Sequence, residues 1–181
     1  MKQQFTKYYI VLILLFLFAA PGITAYLFYA HPSWLGATRT NKGNLLANPI
    51  ELTSLAGTNK WQLVFWTPVS CEQECLKQLD ILARVRLALG RKLYQVEQKL
   101  LVGSMQAEQI EALKHELKAK DIAIESLSNR DEQQVQQLAA TSQIFIINPD
   151  RYLILSYPAG ANPDDVYKDL KLLLNTTETK G

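Results

Sequence analysis

Cys71 and Cys75 are the two cysteines of this chain, set four residues apart in Cys71-Glu72-Gln73-Glu74-Cys75. On a helix that spacing brings both sulfurs to one face, with Cα atoms roughly 6 Å apart. Such a separation lies inside the range that a disulfide spans. Two thiols so placed can form a reversible disulfide or grip one soft metal ion such as Cu(I). At the start of a helix, free N–H groups and the helix dipole also stabilise a thiolate, the reactive form of the side chain. Glu72 and Glu74 act against this, because carboxylates beside a thiolate raise its pKa. A static bridge is the competing reading, with idle thiols behind it. Closing so short a loop removes little chain entropy, so a purely structural staple here would be weak.

The remaining residue types offer less. The sequence has no Gly-rich phosphate loop, zinc-ligand spacing or Ser/His/Asp set, so hydrolase and nucleotide-enzyme readings have no support. His115 lies among Glu111, Lys114, Glu116 and Lys118 and reads as part of a solvated helix face. His31 follows a long apolar run and marks its end rather than a ligand. Trp66, five residues before Cys71, reads as a core residue, with lining the cysteine site as the alternative.

The elements that must position the cysteines follow from periodicity. Trp61 to Trp66 is an apolar, aromatic and β-branched run that predicts a buried strand. Thr67-Pro68-Val69 turns the chain. Ser70 is the expected N-cap of the next helix, and Gln73 completes a capping-box pattern. Cys75, Leu79, Leu82 and Leu89 then recur at helical spacing. Gly90 is the expected stop, with Arg84, Arg86, Arg91 and Lys92 around the negative end of the dipole.

Val96 to Val102 predicts a second strand, and Ala107 to Lys120 a charged helix with Ile110, Leu113 and Leu117 inward. Asp121 to Ala140 is polar and Gln-rich and reads as helix with breaks. Gln143 to Ile147 and Tyr152 to Tyr157, joined by Asn148-Pro149-Asp150-Arg151, predict a hairpin. Asp164 to Leu174 closes the chain as a helix with Val166, Leu170, Leu173 and Leu174 inward. This order predicts an α/β fold: one mixed sheet with helices on both faces.

Ahead of these elements lies a different kind of segment. Tyr8 to Ala30 has no charged residue, and 23 helical residues span about 34 Å, enough for a bilayer core. Tyr8, Tyr9, Tyr26 and Tyr29 fall where an aromatic belt would lie. Pro21 and Gly22 sit mid-run, which membrane helices tolerate. A retained anchor is the preferred reading; the alternative is a signal peptide cleaved near Ile23-Thr24-Ala25. Lys2 and Lys7 precede the run closely, so the positive-inside rule places residues 1–7 in the cytoplasm and the bulk of the chain outside it. Residues 31–56, with Pro32, Gly36, Gly43 and Pro49, read as a stalk, in which Trp34 and Leu35 meet the membrane surface. The soluble domain is expected over 57–177.

Of the 181 residues, 19 are Lys or Arg and 17 Asp or Glu. All basic residues but Lys2 and Lys7 follow the apolar run, leaving the rest neutral overall, so there is no basic footprint for nucleic acid. Two cysteines are too few for a disulfide scaffold.

The aromatic strand, Thr67, and a Cys-x3-Cys that opens a helix together resemble the thioredoxin-like Sco proteins. Phe145-Ile146-Ile147-Asn148-Pro149-Asp150, with the strand after it, resembles their strand–turn–strand hairpin. Arg84-Val85-Arg86-Leu87-Ala88-Leu89-Gly90-Arg91 is similar to a stretch in a shorter group of anchored proteobacterial proteins encoded among cytochrome c oxidase assembly genes. The likeness covers about residues 61 to 174 and the anchor.

The resemblance implies a thioredoxin-like mixed sheet flanked by helices, with one N-terminal transmembrane helix in the bacterial inner membrane and the soluble domain in the periplasm. It implies thiol–disulfide exchange that assists assembly of the oxidase copper centre, with Cys71 as attacking and Cys75 as resolving thiol. The expected partner is cytochrome c oxidase subunit II or another assembly factor. Two alternatives stay open: a metallochaperone that binds Cu(I) through Cys71 and Cys75, and a non-enzymatic scaffold.

Three departures bear on the choice. Leu76 stands where Sco proteins carry proline. Ala139-Ala140-Thr141-Ser142 has no histidine where they supply a third copper ligand. Thr141-Ser142-Gln143 precedes Ile144 where thioredoxins place a cis-proline. Two thiolates still suit Cu(I) but would hold Cu(II) poorly, so the first two departures favour thiol–disulfide exchange over copper carriage, while the third weakens the case for a general disulfide reductase.

Overall fold

In a computed structural model the chain divides into two compact units, Met1–Thr40 and Asn41–Gly181. Residues 2–31, 41–103 and 107–178 are described; Trp34 and Leu35, expected at a membrane surface, lie outside them. The described part of the first unit holds one helix, α1 (Lys2–Ala30), with Pro21 inside it. Its Tyr8–Ala30 span has a mean hydropathy of 2.4 and none of it is buried. By length and composition it is long and apolar enough to cross a membrane. The Thr24 hydroxyl donates to the carbonyls of Ala20 and Pro21, 2.9 Å each, so this polar group is satisfied within the helix.

The second unit is a six-stranded mixed sheet flanked by helices. Its elements are β1 (Asn44–Glu51), β2 (Trp61–Thr67), α2 (Gln73–Ala88), a 3-10 turn (Gly90–Gln95) and β3 (Val96–Val102), then α3 (Ala107–Lys118), β4 (Ile122–Ser126) and α4 (Asn129–Leu138), and finally β5 (Gln143–Ile147), β6 (Tyr152–Pro158) and α5 (Pro163–Glu178). The strand order is β1-β6-β5-β2-β3-β4. β2, β3 and β4 run parallel; β5 is antiparallel to β2, and β6 to β5 and β1.

β2 is buried along its whole length, as a central strand covered on both faces must be. Alternation then sends its residues to two cores. Leu63 and Phe65 pack with Leu79 and Leu82 of α2, Leu117 of α3 and Leu170 of α5. Val64 and Trp66 pack on the other face with Val135 of α4 and with Leu52 and Leu55, which follow β1. Gly90, in the left-handed region at φ +62°, ends α2 as the sequence predicts.

Two regions differ from the sequence reading. β1 lies inside the stretch expected to be a stalk, so the folded unit starts at Asn41. Its residues are largely exposed and include Pro49, and its register shifts between Leu45 and Ile50. Such an edge strand shows no alternation; pairing with β6 makes it a strand. Asp169 of α5 fixes its start, accepting hydrogen bonds from the Lys42 and Gly43 amides (2.7 and 2.8 Å) and from the Tyr157 hydroxyl (2.7 Å). Burial first, and then Asp169, push the Tyr157 phenol far above its ordinary pKa. A Cβ on Gly43 would run into the Tyr157 ring, so a glycine is needed at this entry.

The second difference is Asp121 to Ala140, read as broken helix, which folds as β4 and α4. β4 is a five-residue edge strand, too short for its period to show. Ser128 caps α4 by accepting from the Asp131 amide. The Asp131 side chain, 1% exposed, accepts from the Ser54 amide at 2.7 Å and the Ser54 hydroxyl at 2.6 Å, tying α4 to the segment after β1. Burial acts to raise its pKa, but the hydrogen bonds from Ser54, Thr53 and Ser128 outweigh this and hold the carboxyl below the usual carboxylate range.

A depressed pKa in the folded state stabilises the fold above the unfolded carboxylate value, near 4. That contribution is lost as pH falls through the folded value. Asp131→Asn should therefore destabilise by about 1.5–3 kcal/mol at pH 7, the usual range for hydrogen bonds to a charged group. The gap from wild type should close as pH falls below 4. Tryptophan-detected urea unfolding at several pH values checks both.

Candidate functional site

Three connections converge where the sheet changes direction. The C-terminal end of β2 lies between parallel β3 and antiparallel β5, with Trp66 opposite Gln143 and Gln143 opposite Pro158. The turn leaving β2, the start of β5 and the loop after β6 therefore meet at one rim. The crevice beyond the carboxyl end of a strand where topology switches is a common ligand position in α/β sheets.

Cys71 and Cys75 lie at this rim, joined in a disulfide with Cα atoms 5.2 Å apart. The helix starts later than the capping pattern predicts. Its N-cap is Glu72, with extended backbone and no side-chain cap, rather than Ser70. Cys71 thus stands before the helix and Cys75 is its third residue. The two sulfurs do not share a helical face; an extended entry segment folds back onto the first turn. The first-turn amides have no acceptors within the helix, and it is Cys75, not Cys71, that lies in that turn.

Burial divides the pair. Cys75 is 9% exposed and belongs to the core under α2, while Cys71 is half-buried against the same core. Beside them opens a groove of about 470 Å³. Phe65, Thr67, Val69, Ser142, Ala159 and Gly160 line it around Cys75, and its charged lining residues are Glu72 and Glu74. The Thr67 hydroxyl donates to the Val69 carbonyl at 2.9 Å and accepts from Ser142 at 3.4 Å, linking the turn after β2 to the start of β5. Glu74 pairs with Lys77 at 3.1 Å, both side chains exposed. Val69 is 63% exposed, an apolar side chain held out at the lip.

Of the residues named from sequence, the groove brings together Cys75, Glu72 and Glu74 with Thr67, Val69, Ser70 and Ser142, and Cys71 joins them through the disulfide. Trp66 is fully buried in the opposite core, where its indole N–H donates to the Ala139 carbonyl at 3.4 Å. His115 is exposed on α3, and His31 ends α1 in the other unit. Phe65 was missed, although strand alternation was its signal: it shares a face with Leu63, the face that α2 covers. Ala159 and Gly160 carried no signal, since only the β5–β6 pairing brings them here.

The donor set decides what a metal could use. Among the described residues no group of three or more His, Cys, Asp or Glu is placed to hold an ion. Ser142, which lines the same groove just before β5, offers a hydroxyl and not an imidazole. With the disulfide reduced, the site supplies two thiolates. Those suit a soft monovalent ion carried as cargo and do not suit a three-ligand centre.

Residues 61–177 match the family model described as transmembrane-like, thioredoxin-like, C-terminal domain. The chain belongs to that family. No curated protein matches the sequence. Among solved structures, this thioredoxin-like chain is similar to apo Sco1 of Thermus thermophilus, at 22% identity and a TM-score of 0.57, over 76% of this chain and 99% of that one. It is also similar to the copper-bound ScoI of Arabidopsis thaliana, at 11% identity and a TM-score of 0.52, over 66% of this chain and 87% of that one. The copper-bound Sco1 of yeast matches at 10% identity and a TM-score of 0.51, over 64% of this chain and 78% of that one. These likenesses show the fold: the mixed sheet flanked by helices is thioredoxin-like, as the resemblance in sequence implied.

Proposed function

We infer that this protein is a membrane-anchored thiol–disulfide exchange protein. The observation that carries the reading is the Cys71–Cys75 disulfide, half-exposed at Cys71 and set on the first turn of α2 beside an open groove. In the reduced protein the Cys71 thiolate attacks one sulfur of a client disulfide. That bond breaks, a mixed disulfide forms, and the first client sulfur leaves as a thiolate that takes a proton from water. The Cys75 thiolate then attacks the Cys71 sulfur and expels the second client thiol. The client gains two electrons, the protein returns to the disulfide, and an external dithiol must reduce it again.

The setting we propose is the bacterial inner membrane, with α1 as a single span and the thioredoxin-like domain in the periplasm. Lys2 and Lys7 before the apolar span support that orientation. The client we propose is the cysteine pair of the cytochrome c oxidase copper centre in subunit II, reduced before metal enters. Resemblance to the Sco proteins and to the small proteobacterial group supports this. A second reading, Cu(I) delivery through Cys71 and Cys75, is favoured by the two-sulfur donor set and by the copper bound in two proteins of the same fold.

The midpoint potential separates a working disulfide from a static one. For the full chain in detergent, equilibrated in glutathione or dithiothreitol buffers, we expect a value between about −180 and −270 mV, the range of exchange proteins. A value far below about −300 mV would make the bridge structural. For the second reading, competitive Cu(I) titration of the reduced chain is the check. Binding no tighter than that of the Cys71→Ser, Cys75→Ser double variant would remove it.

A further inference from the structure

The groove beside the disulfide carries a chemical preference that the exchange reaction does not require. Its walls are apolar or uncharged, with Phe65 beneath and Val69 exposed at the lip, yet both charged lining residues, Glu72 and Glu74, are acids. Both are exposed, and both lie between the two reacting cysteines in sequence. Lys77 pairs with Glu74 but is not part of the lining. Cys75 lines the groove; Cys71 is bonded to it and immediately precedes the exposed Glu72, so a client disulfide that reaches Cys71 arrives beside these carboxylates.

We propose that the groove selects clients whose disulfide is flanked by a basic residue, with an apolar residue beside it to sit against Phe65 and Val69. This rests on the exchange reading and adds the substrate class to it. The mechanism is encounter and registration: complementary rim charge raises the association rate and fixes the approach of the client, while like charge suppresses it. The two glutamates also disfavour the thiolate for every client alike. The selectivity therefore appears in the ratio between two clients and not in either rate alone. Because the carboxylates are exposed, salt must weaken that ratio.

The test uses the full chain in detergent, reduced with dithiothreitol and freed of it. Two synthetic peptides each contain one intramolecular disulfide and differ only in Lys or Glu beside the first cysteine. A small neutral disulfide, 2-hydroxyethyl disulfide, serves as reference. At low salt the Lys peptide should be reduced about tenfold faster than the Glu peptide, well within the range over which complementary charge raises association rates. The ratio should fall toward one in 1 M salt or in the Glu72→Gln, Glu74→Gln double variant, and invert in Glu72→Lys, Glu74→Lys. Equal rates for the two peptides in the wild type, or a ratio untouched by the double Gln variant, would overturn the selectivity while leaving exchange standing if the neutral disulfide reacts. Failure of all three disulfides to react would overturn exchange and selectivity together.

Discussion

A Cys75→Ser protein, reduced and mixed with an oxidised client, is expected to accumulate as a mixed disulfide through Cys71. The first attack needs only the half-exposed thiol; escape needs the buried one. Removing the resolving thiol leaves the intermediate with no internal nucleophile, so it persists on a non-reducing gel, and mass spectrometry places the client sulfur on Cys71. Cys71→Ser should instead form no adduct and lose turnover to the level of the double variant. A serine hydroxyl is not ionised at neutral pH and cannot replace the thiolate. Reversal of the two phenotypes would exchange the roles of the cysteines. Full restoration of oxidase assembly by the double variant in a deletion strain would remove both thiol readings and leave a scaffold.

Leu79→Ala should give the largest loss of stability near the site. Leu79, on the buried face of α2, is fully buried in the core it shares with Leu82, and its backbone carbonyl accepts from the buried Gln98 side chain at 2.9 Å. Truncating a buried leucine costs about 2–5 kcal/mol through lost transfer energy and the cavity left behind. For a domain of this size that lowers the melting temperature by roughly 10 °C. The same change at Leu87, which lies on the same helix but is 66% exposed, should cost less than about 0.5 kcal/mol. Calorimetry on the two variants checks the contrast. Because Cys75 shares the core that Leu79 fills, the reduced Leu79→Ala protein should also alkylate faster at Cys75, read by peptide mapping.

Both expectations depend on how the sequence is divided between local and distant information. The cysteine pair, the strand before it and the helix after it were legible because they are local. Trp61 to Trp66 is apolar and aromatic but for Gln62, and Cys75, Leu79 and Leu82 mark one face of α2 with Gly90 as its stop. β3, β5 and β6 were legible for the same reason, as was the membrane-length span in α1. Where local signal was weak, the reading failed. β1 and β4 are edge strands, half-exposed or very short, and their conformation is set by β6 and β3 rather than by their own period. The capping pattern at Ser70 was a plausible local choice, overridden when the entry segment stayed extended through Glu72.

What the sequence determined by itself is the chemistry available: two sulfurs at a helix start, two carboxylates between them, and a span of membrane length. What only the tertiary structure decided is the accessibility of that chemistry. The packing of α2 on β2 buries Cys75 and leaves Cys71 half-open, and the β5–β6 hairpin carries Ser142, Ala159 and Gly160 more than sixty residues back to the same rim. Long-range strand pairing creates a groove with a floor, a lip and a sign of charge, because hydrogen-bonded register, unlike side-chain period, is a property of two segments at once.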